Sequence, residues 1–385
     1  MKVIVCRRHK QHLFIEKIIS AFEELGYCVL FIDLELTKKA DEFLKKIDSF
    51  SPDFIFSLTA NSKISKIIPD PIPIINYELD KIMSEKFVDN HSFKKRDLIF
   101  TTYKKDVPVF LKIGAKNVYY LPFFFNAHNP NVDPNPSHEV SFVGTIGLSN
   151  DFRWYIEKMN KIADGNPKAL HLLEEVVLPF FHQLLKKQKD ALETNSFIIP
   201  ELIDKSLKGE VLKIFSAFNL HPLRSQLLLS KEAAFQQRCY FLNSIDLLSS
   251  WGNSDWSQLN WKNNRYQGPA ELYKDTSNIY AQSKINLNIQ RIYAQDGLSD
   301  RVFNVMMAGG FLLTDRNASI QELFIEDRHL VLFSSKQEML EKINYYRIHP
   351  DKRDEIAMNG KKEVLANHSC LSRMRKILDT VLPII

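Results

Sequence analysis

The chain has 385 residues, 45% of them hydrophobic and 25% charged, with a formal net charge of +5. That length exceeds one ordinary core and predicts two domains of about 100–200 residues each, in a composition ordinary for a soluble globular protein. No apolar run approaches the roughly 18–20 residues of a membrane span, and the small positive excess suits anionic small molecules or a membrane surface but is too weak to argue for nucleic acid by itself.

The N-terminus, "MKVIVCRRHK", places charges directly after a short apolar run and reads as a first strand rather than a signal peptide. From there to residue 137, strand-like runs ("KVIVC", "CVLFID", "DFIFSL", "IPIINYE", "DLIFTTY", "NVYYLPF") alternate with helical ones ("LFIEKIISAFEELG", "ADEFLKKIDSF", "VPVFLKIG"). Continuous apolar strands between amphipathic helices predict a parallel sheet covered on both faces, a doubly wound α/β domain. The stretch "NAHNPNVDPNPSHE", 126–139, holds three prolines and four asparagines without any period, and is the expected linker.

The pattern then restarts. "VSFVGTIG" is a strand running into a glycine-bearing loop, and "DFRWYIEKMNKIA" opens a helix with Asn150 or Asp151 as its cap. About 165–242 reads as almost wholly helical, an insertion whose apolar face is core or interdomain packing; its a/d repeat is not sustained enough for a coiled coil. The α/β pattern resumes at "SIDLLSSWG", continues through "SNIYAQSKINLNI", "RVFNVMMAGGFLLTD" and "HLVLFSS", and ends in helices. The expected domains are therefore 1–137, 138–366, and a final helix, 367–385. The four cysteines, Cys6, Cys28, Cys239 and Cys370, are scattered and fit reduced structural thiols of a cytoplasmic protein.

Two stretches are candidates for chemistry. In "SFVGTIGLSNDFR", Gly144 and Gly147 between a strand and a helix would let backbone approach a phosphate, and Arg153 in the first helical turn would supply a cation. The plain alternative is a tight turn with a surface arginine. In "DGLSDRVFNVMMAGGFLLTD", Asp296 and Arg301 precede or open a helix with the apolar face Val302, Phe303, Val305, Met306 and Ala308. Gly309-Gly310 stops that helix, and a buried strand ending at Asp315 follows. Ligands of open α/β sheets bind beyond the carboxyl ends of strands, so Asp296, Arg301, Asn304 and Asp315 cluster where a nucleotide sugar would sit. The plain alternative is a core helix with a capping aspartate and a solvated arginine.

The run from "YQGPAELYKD" through "SKINLN", "DGLSDRVFN" and "AGGFLLTD" to "HLVLFSS" resembles the donor half of a GT-B glycosyltransferase. More narrowly, it is similar to the CgeB-like family named for spore-coat maturation proteins, with its pattern SKI-x-LN, DG-x2-R-x-FE, AxGG-x-LLTD. The layout is also similar to that of phage DNA β-glucosyltransferases. The resemblance implies two Rossmann-like domains facing a cleft: the first for the acceptor, the second for the nucleotide-sugar donor. It also implies a last helix that crosses back to the first domain. Asn304 stands where that family has glutamate, so the donor contact there is a neutral amide.

The expected activity is transfer of a sugar from a nucleotide-diphosphate sugar, UDP- or GDP-linked, to an acceptor hydroxyl. The acceptor class stays open among glycan, protein and lipid-linked saccharide. No strand is followed by a convincing D-x-D, Asp33-Leu34-Glu35 being the nearest match, so no metal is expected. Arg153, Arg301 and the Gly144–Gly147 amides would offset the diphosphate charge, with Lys284 in reserve. The expected base is Asp80 or Glu78 at the end of "IINYELD", with His9 as the alternative. His368 is expected to bridge the domains or cap the last helix, and Trp251, Trp256 and Trp261 to pack or to stack on sugar. Two other readings stand beside the enzyme: a non-catalytic nucleotide- or sugar-binding relative, which Asn304 favours, and a DNA-modifying glucosyltransferase. The expected location is the cytoplasm, with attachment to the inner face of the membrane left open.

Overall fold

The computed structural model describes residues 1–7, 14–34, 40–58, 63–82, 93–132, 136–147, 150–271 and 275–384. His9 lies outside them, as does Glu35. Asn150 begins the helix Asn150–Ala163, but the expected cap side chains, Asn150 and Asp151, are also outside the described set.

The first sheet consists of β1 (Lys2–Arg7), β2 (Cys28–Asp33), β3 (Phe54–Leu58), β4 (Ile74–Glu78), β5 (Asp97–Thr101) and β6 (Asn117–Tyr120), in the order β2-β1-β3-β4-β5-β6. The second consists of β7 (His138–Val143), β8 (Leu248–Trp251), β9 (Asn264–Tyr266), β10 (Ser283–Asn288), β11 (Leu312–Asp315) and β12 (Val331–Phe333), in the order β12-β11-β10-β7-β8-β9. Every pairing in both sheets is parallel. The cause is visible in the strands: β3, β5, β8 and β11 are buried at every residue, as strands covered on both faces must be. In the second sheet the first and fourth strands in chain order, β7 and β10, lie side by side. The chain winds away from them in opposite directions, which opens a crevice at their carboxyl ends.

Between β7 and β8 sits a helical body with its own core, in which Phe181 and Phe215 pack edge to face at 5.3 Å. It begins earlier than expected: Phe152, Tyr155 and Met159 of the helix Asn150–Ala163 belong to this core. Its last helix, Pro222–Leu242, returns the chain to the sheet.

The two sheets share a core. Phe54, Phe56 and Tyr77 of the first belong to the same cluster as Val302 and Phe303 of the helix Asp300–Met307 and as Met374 and Ile377 of the last helix, Cys370–Val381. That last helix packs against Ile15–Glu24 of the first domain. It is also tied down by Arg373, whose Nε donates to the carbonyls of Pro122 and Phe123. His368 is buried and neutral: burial and then the Arg373 charge push it down to about 3. Its Nδ1 lies 2.6 Å from Arg373 Nη2, and its carbonyl accepts from Phe125 N–H at 3.2 Å. Its role is therefore to pin the last helix to the segment that crosses between the sheets.

Candidate active site

The crevice at β7 and β10 is a cavity of about 460 Å³. The second domain contributes Gly144, Gln290, Ser299 and Arg301; the helix Pro222–Leu242 contributes Lys231 and Arg238; the first domain closes it with Asp80, Lys81 and Tyr103. An adjoining hollow of about 280 Å³ shares Gly144, Thr145 and Arg301 and extends between Gly252, Pro269, Tyr280 and Asp300.

Arg301 is aimed by its surroundings. Its Nη1 donates to Asn288 Oδ1 at 2.8 Å, and Asn288 is itself held through Nδ2 to Thr314 at 2.9 Å. Gly144 is what admits the guanidinium: its φ is +153°, and a Cβ there would stand 2.5 Å from Arg301 Nη2. Arg301 lies 5.2 Å from the Phe142 ring centroid and Arg238 lies 5.5 Å from the same ring. Arg238 is 4% exposed and donates to Thr145 O. Its Nε has no hydrogen-bond partner among the described residues. Burial, then Arg301 and Arg291, push its pKa down to about 9. None of Arg238, Arg291 and Arg301 makes an ion pair among the described residues. Converging cations that make no ion pair among the described residues could hold an anion here.

The expected partner of Arg301 was Arg153, and this is corrected. Arg153 is exposed on its helix, its charge felt by Glu232, and it does not line the cavity. Arg238 takes the place beside Arg301. Its signal in the sequence is a lone cation on a buried helical face, between Ala234 and Phe241. The Gly144 amide is also not open to a ligand, because it donates to Trp251 O at 2.8 Å. Gly147 stands beside Arg238. Gly309 ends its helix at φ +77°, next to Lys361 and away from both hollows.

Asn304 is buried and does line the smaller hollow, but its oxygen accepts from Asn126 N–H at 2.7 Å and Ala127 N–H at 3.0 Å. Both lone pairs are thereby used on the crossing segment. Its Nδ2 donates to Asp300 at 3.2 Å, which accounts for an amide rather than a carboxylate here: two acids one helical turn apart would repel. Asp296 likewise faces the other domain. Its carboxylate lies 2.8 Å from Lys81 Nζ and accepts from Lys105 N–H at 3.0 Å. Next to it, Gly297 bridges to Tyr103, and a Cβ at that glycine would meet the tyrosine ring at 2.4 Å. Asp315 lies beneath the cavity floor, accepting from Gln290 N–H at 2.9 Å, with burial pushing it up to about 6.

On the first domain's side, Asp80 is exposed and lines the cavity. Glu78, at the end of β4, is pushed up to about 8 by burial and then by Asp80 and Asp106. Lys284 is paired with Glu139 and takes no part. Trp256 is buried and donates to Gly144 O at 2.8 Å, propping the glycine loop from behind; Trp251 packs on His138. No described helix is long and apolar enough to cross a membrane.

Residues 236–379 match the model of a family described as Glycosyl transferase-like. No curated protein matches the chain in sequence. Among solved structures, the chain is similar to the DNA-modifying β-glucosyltransferase studied with and without uridine diphosphoglucose (TM-score 0.54, 11% identity, 99% of each chain covered). It is similar to T4 phage BGT in complex with UDP and Mn2+ (TM-score 0.52, 11% identity, 99% of each chain). It is also similar to HepE of Anabaena in complex with UDP and glucose (TM-score 0.50, 11% identity, 100% of each chain). The chain therefore has the GT-B fold, two Rossmann-like domains facing a cleft, with a glycosyl transferase-like region over its second half.

Proposed function

We propose that this protein is a glycosyltransferase that moves a sugar from a nucleoside-diphosphate sugar to an acceptor hydroxyl, with UDP as the first nucleotide to test. The observation that carries the reading is the convergence of Arg238 and Arg301 on one cavity without an ion pair. In this reading the second domain, from about 138 to 366, holds the donor and the first, from 1 to about 137, holds the acceptor. The nucleoside fills the smaller hollow beside Tyr280 and Asp300. The diphosphate lies over Arg301 and Arg238, and the sugar faces Asp80. UDP is favoured because two of the similar structures hold it, and the "SKINLN" and "AGGFLLTD" motifs point within the class toward the CgeB-like family.

The acceptor oxygen attacks the anomeric carbon as the bond from that carbon to the diphosphate breaks. Asp80 takes the hydroxyl proton, the direct attack from the face opposite the diphosphate inverts the centre, and the guanidiniums offset the charge left on the diphosphate. In this role they replace a metal ion, so transfer is expected to persist in EDTA. Asn304 serves the joint between domains rather than the ribose, so its difference from the family's glutamate does not remove activity.

Thermal melts with UDP, UDP-glucose, GDP and GDP-mannose test the reading. At least one nucleotide is expected to raise the midpoint, by about 2.7 kcal/mol of stabilisation at 100 times its Kd, and Arg301→Ala to abolish the shift. Asp80→Asn is expected to keep nucleotide binding and lower turnover by about 100-fold or more. No response to any nucleotide overturns the reading.

A further inference from the structure

The anion cavity opens, past Lys81 and Tyr293, into a larger hollow of about 640 Å³, within the range of about 300–1,000 Å³ usual for small-ligand sites. One wall is the first domain at Lys81 and Lys105. The other is the corner Asn195–Glu201 of the helical body. This corner is pinned over residues 195–198. Asn195, at φ +49°, accepts from Gln237 Nε2 on its side chain at 2.9 Å and from Gln295 Nε2 on its carbonyl at 3.0 Å. Gln188 then spans the turn, donating to Ser196 O at 2.8 Å and accepting from Ile198 N–H at 2.9 Å. The corner thus holds the half-buried Phe197 in place at the hollow, with Tyr293 also lining it.

Charge decides what fits. Lys81 and Lys105 are balanced by Asp296 and Glu201, and Lys81 is already bound to Asp296 at 2.8 Å. A polyanion finds no net attraction here, unlike in the neighbouring arginine cavity. Beside these charges the hollow offers the rings of Phe197 and Tyr293 and the amide side chains of Gln226 and Gln295, a largely polar lining with one aromatic wall. We propose that this hollow binds the acceptor, and that the acceptor is an uncharged saccharide lying against Phe197 and Tyr293 with its hydroxyls on Gln226 and Gln295. The acceptor role rests on the glycosyltransferase reading; the saccharide site rests on the hollow alone. It also gives the helical body a task beyond packing.

The test is saturation-transfer NMR of the full chain with methyl glucoside, cellobiose, maltose and lactose, each with and without UDP, alongside thermal melts. At least one saccharide is expected to receive saturation. Phe197→Ala and Gln226→Ala are each expected to weaken it about tenfold, some 1.4 kcal/mol, while both variants keep the wild-type midpoint shift with UDP. Should Phe197→Ala fail to fold, Gln226→Ala decides. Saccharide binding that depends on these residues in a protein that ignores UDP supports this site while the donor reading fails. No saccharide binding with or without UDP overturns the inference. So does saccharide binding indifferent to both substitutions, or a DNA duplex that binds in a Phe197-dependent way.

Discussion

Arg238 and Arg301 share one aromatic ring: their guanidinium carbons lie 5.5 and 5.2 Å from the centre of Phe142, and neither meets a carboxylate among the described residues. Burial first, and then the neighbouring Arg301 and Arg291 charges, lower Arg238 to about 9. The arrangement is sensible only if an anion completes it. Arg238→Met is therefore expected to leave the ligand-free protein as stable as wild type or about 1–4 kcal/mol more so, as replacing buried charge often does. The same substitution should remove most of the stabilisation by UDP. Urea unfolding with and without UDP checks both halves. A variant that is destabilised yet still responds fully to UDP would show Arg238 to be merely structural.

Asp296 and Lys81 form the matching relationship between domains. Lys81 stands between Asp106 of its own domain and Asp296 of the other, and Asp296 also takes the Lys105 N–H. Asp296→Asn removes a charge-assisted contact at a rigid joint, so a loss of about 1–3 kcal/mol is expected. Because the carboxylate faces Lys81 rather than the arginines, the midpoint shift given by UDP should survive. Calorimetry with and without nucleotide separates this from a donor contact, which would lose the shift instead.

The fold was legible because its signals are local. Runs such as "FLLTD" and "DLIFT" are apolar throughout because both faces of each sheet are covered, and Gly309-Gly310 ends a helix by backbone conformation alone. That Gly144 and Arg301 come together was legible for the same reason, as a loop and a helix start at adjacent strand ends. The rest of the site is set by what arrives from far away in sequence. Arg153, like Arg301, lies in the first turn of its helix, but it is the fourth residue rather than the second and is exposed to solvent. Arg238 reaches the cavity only because the helical body folds back to β7. No local pattern tells that Asn304 meets residues 126–127, or that Asp296 meets Lys81.

That long-range contact of Asn304 gives a third prediction. Its oxygen is the acceptor for two buried N–H groups, Asn126 and Ala127. Asn304→Ala removes that acceptor from both, at about 1–3 kcal/mol each, so a total loss of about 2–6 kcal/mol is expected by urea titration. Asn304→Glu keeps an acceptor but sets a carboxylate against Asp300 one turn away, and should destabilise less. If the alanine variant lost no stability but lost nucleotide binding, the residue would belong to the donor site after all.

Glu78 supplies the pH dependence. Burial first, then Asp80 and Asp106, raise it from about 4.5 to about 8, so it is protonated in the folded protein at neutral pH. An unfolded chain ionises the same group near pH 4.5. Between those two values the unfolded state holds fewer protons, so stability falls as pH rises and levels off above about pH 8. Glu78→Gln keeps a neutral, hydrogen-bonding side chain at every pH. Its melting point should match wild type near pH 5 and exceed it by a growing margin up to pH 8–9, in melts run across that range. Asp80→Asn removes one of the two neighbouring charges and should shrink the margin. In the proposed transfer reaction, a Glu78 that is protonated at neutral pH would not take the acceptor's proton, which favours Asp80 as the base. Glu78→Gln should then retain transfer at pH 7, whereas Asp80→Asn should lose it; the reverse order of rates would move the base to Glu78.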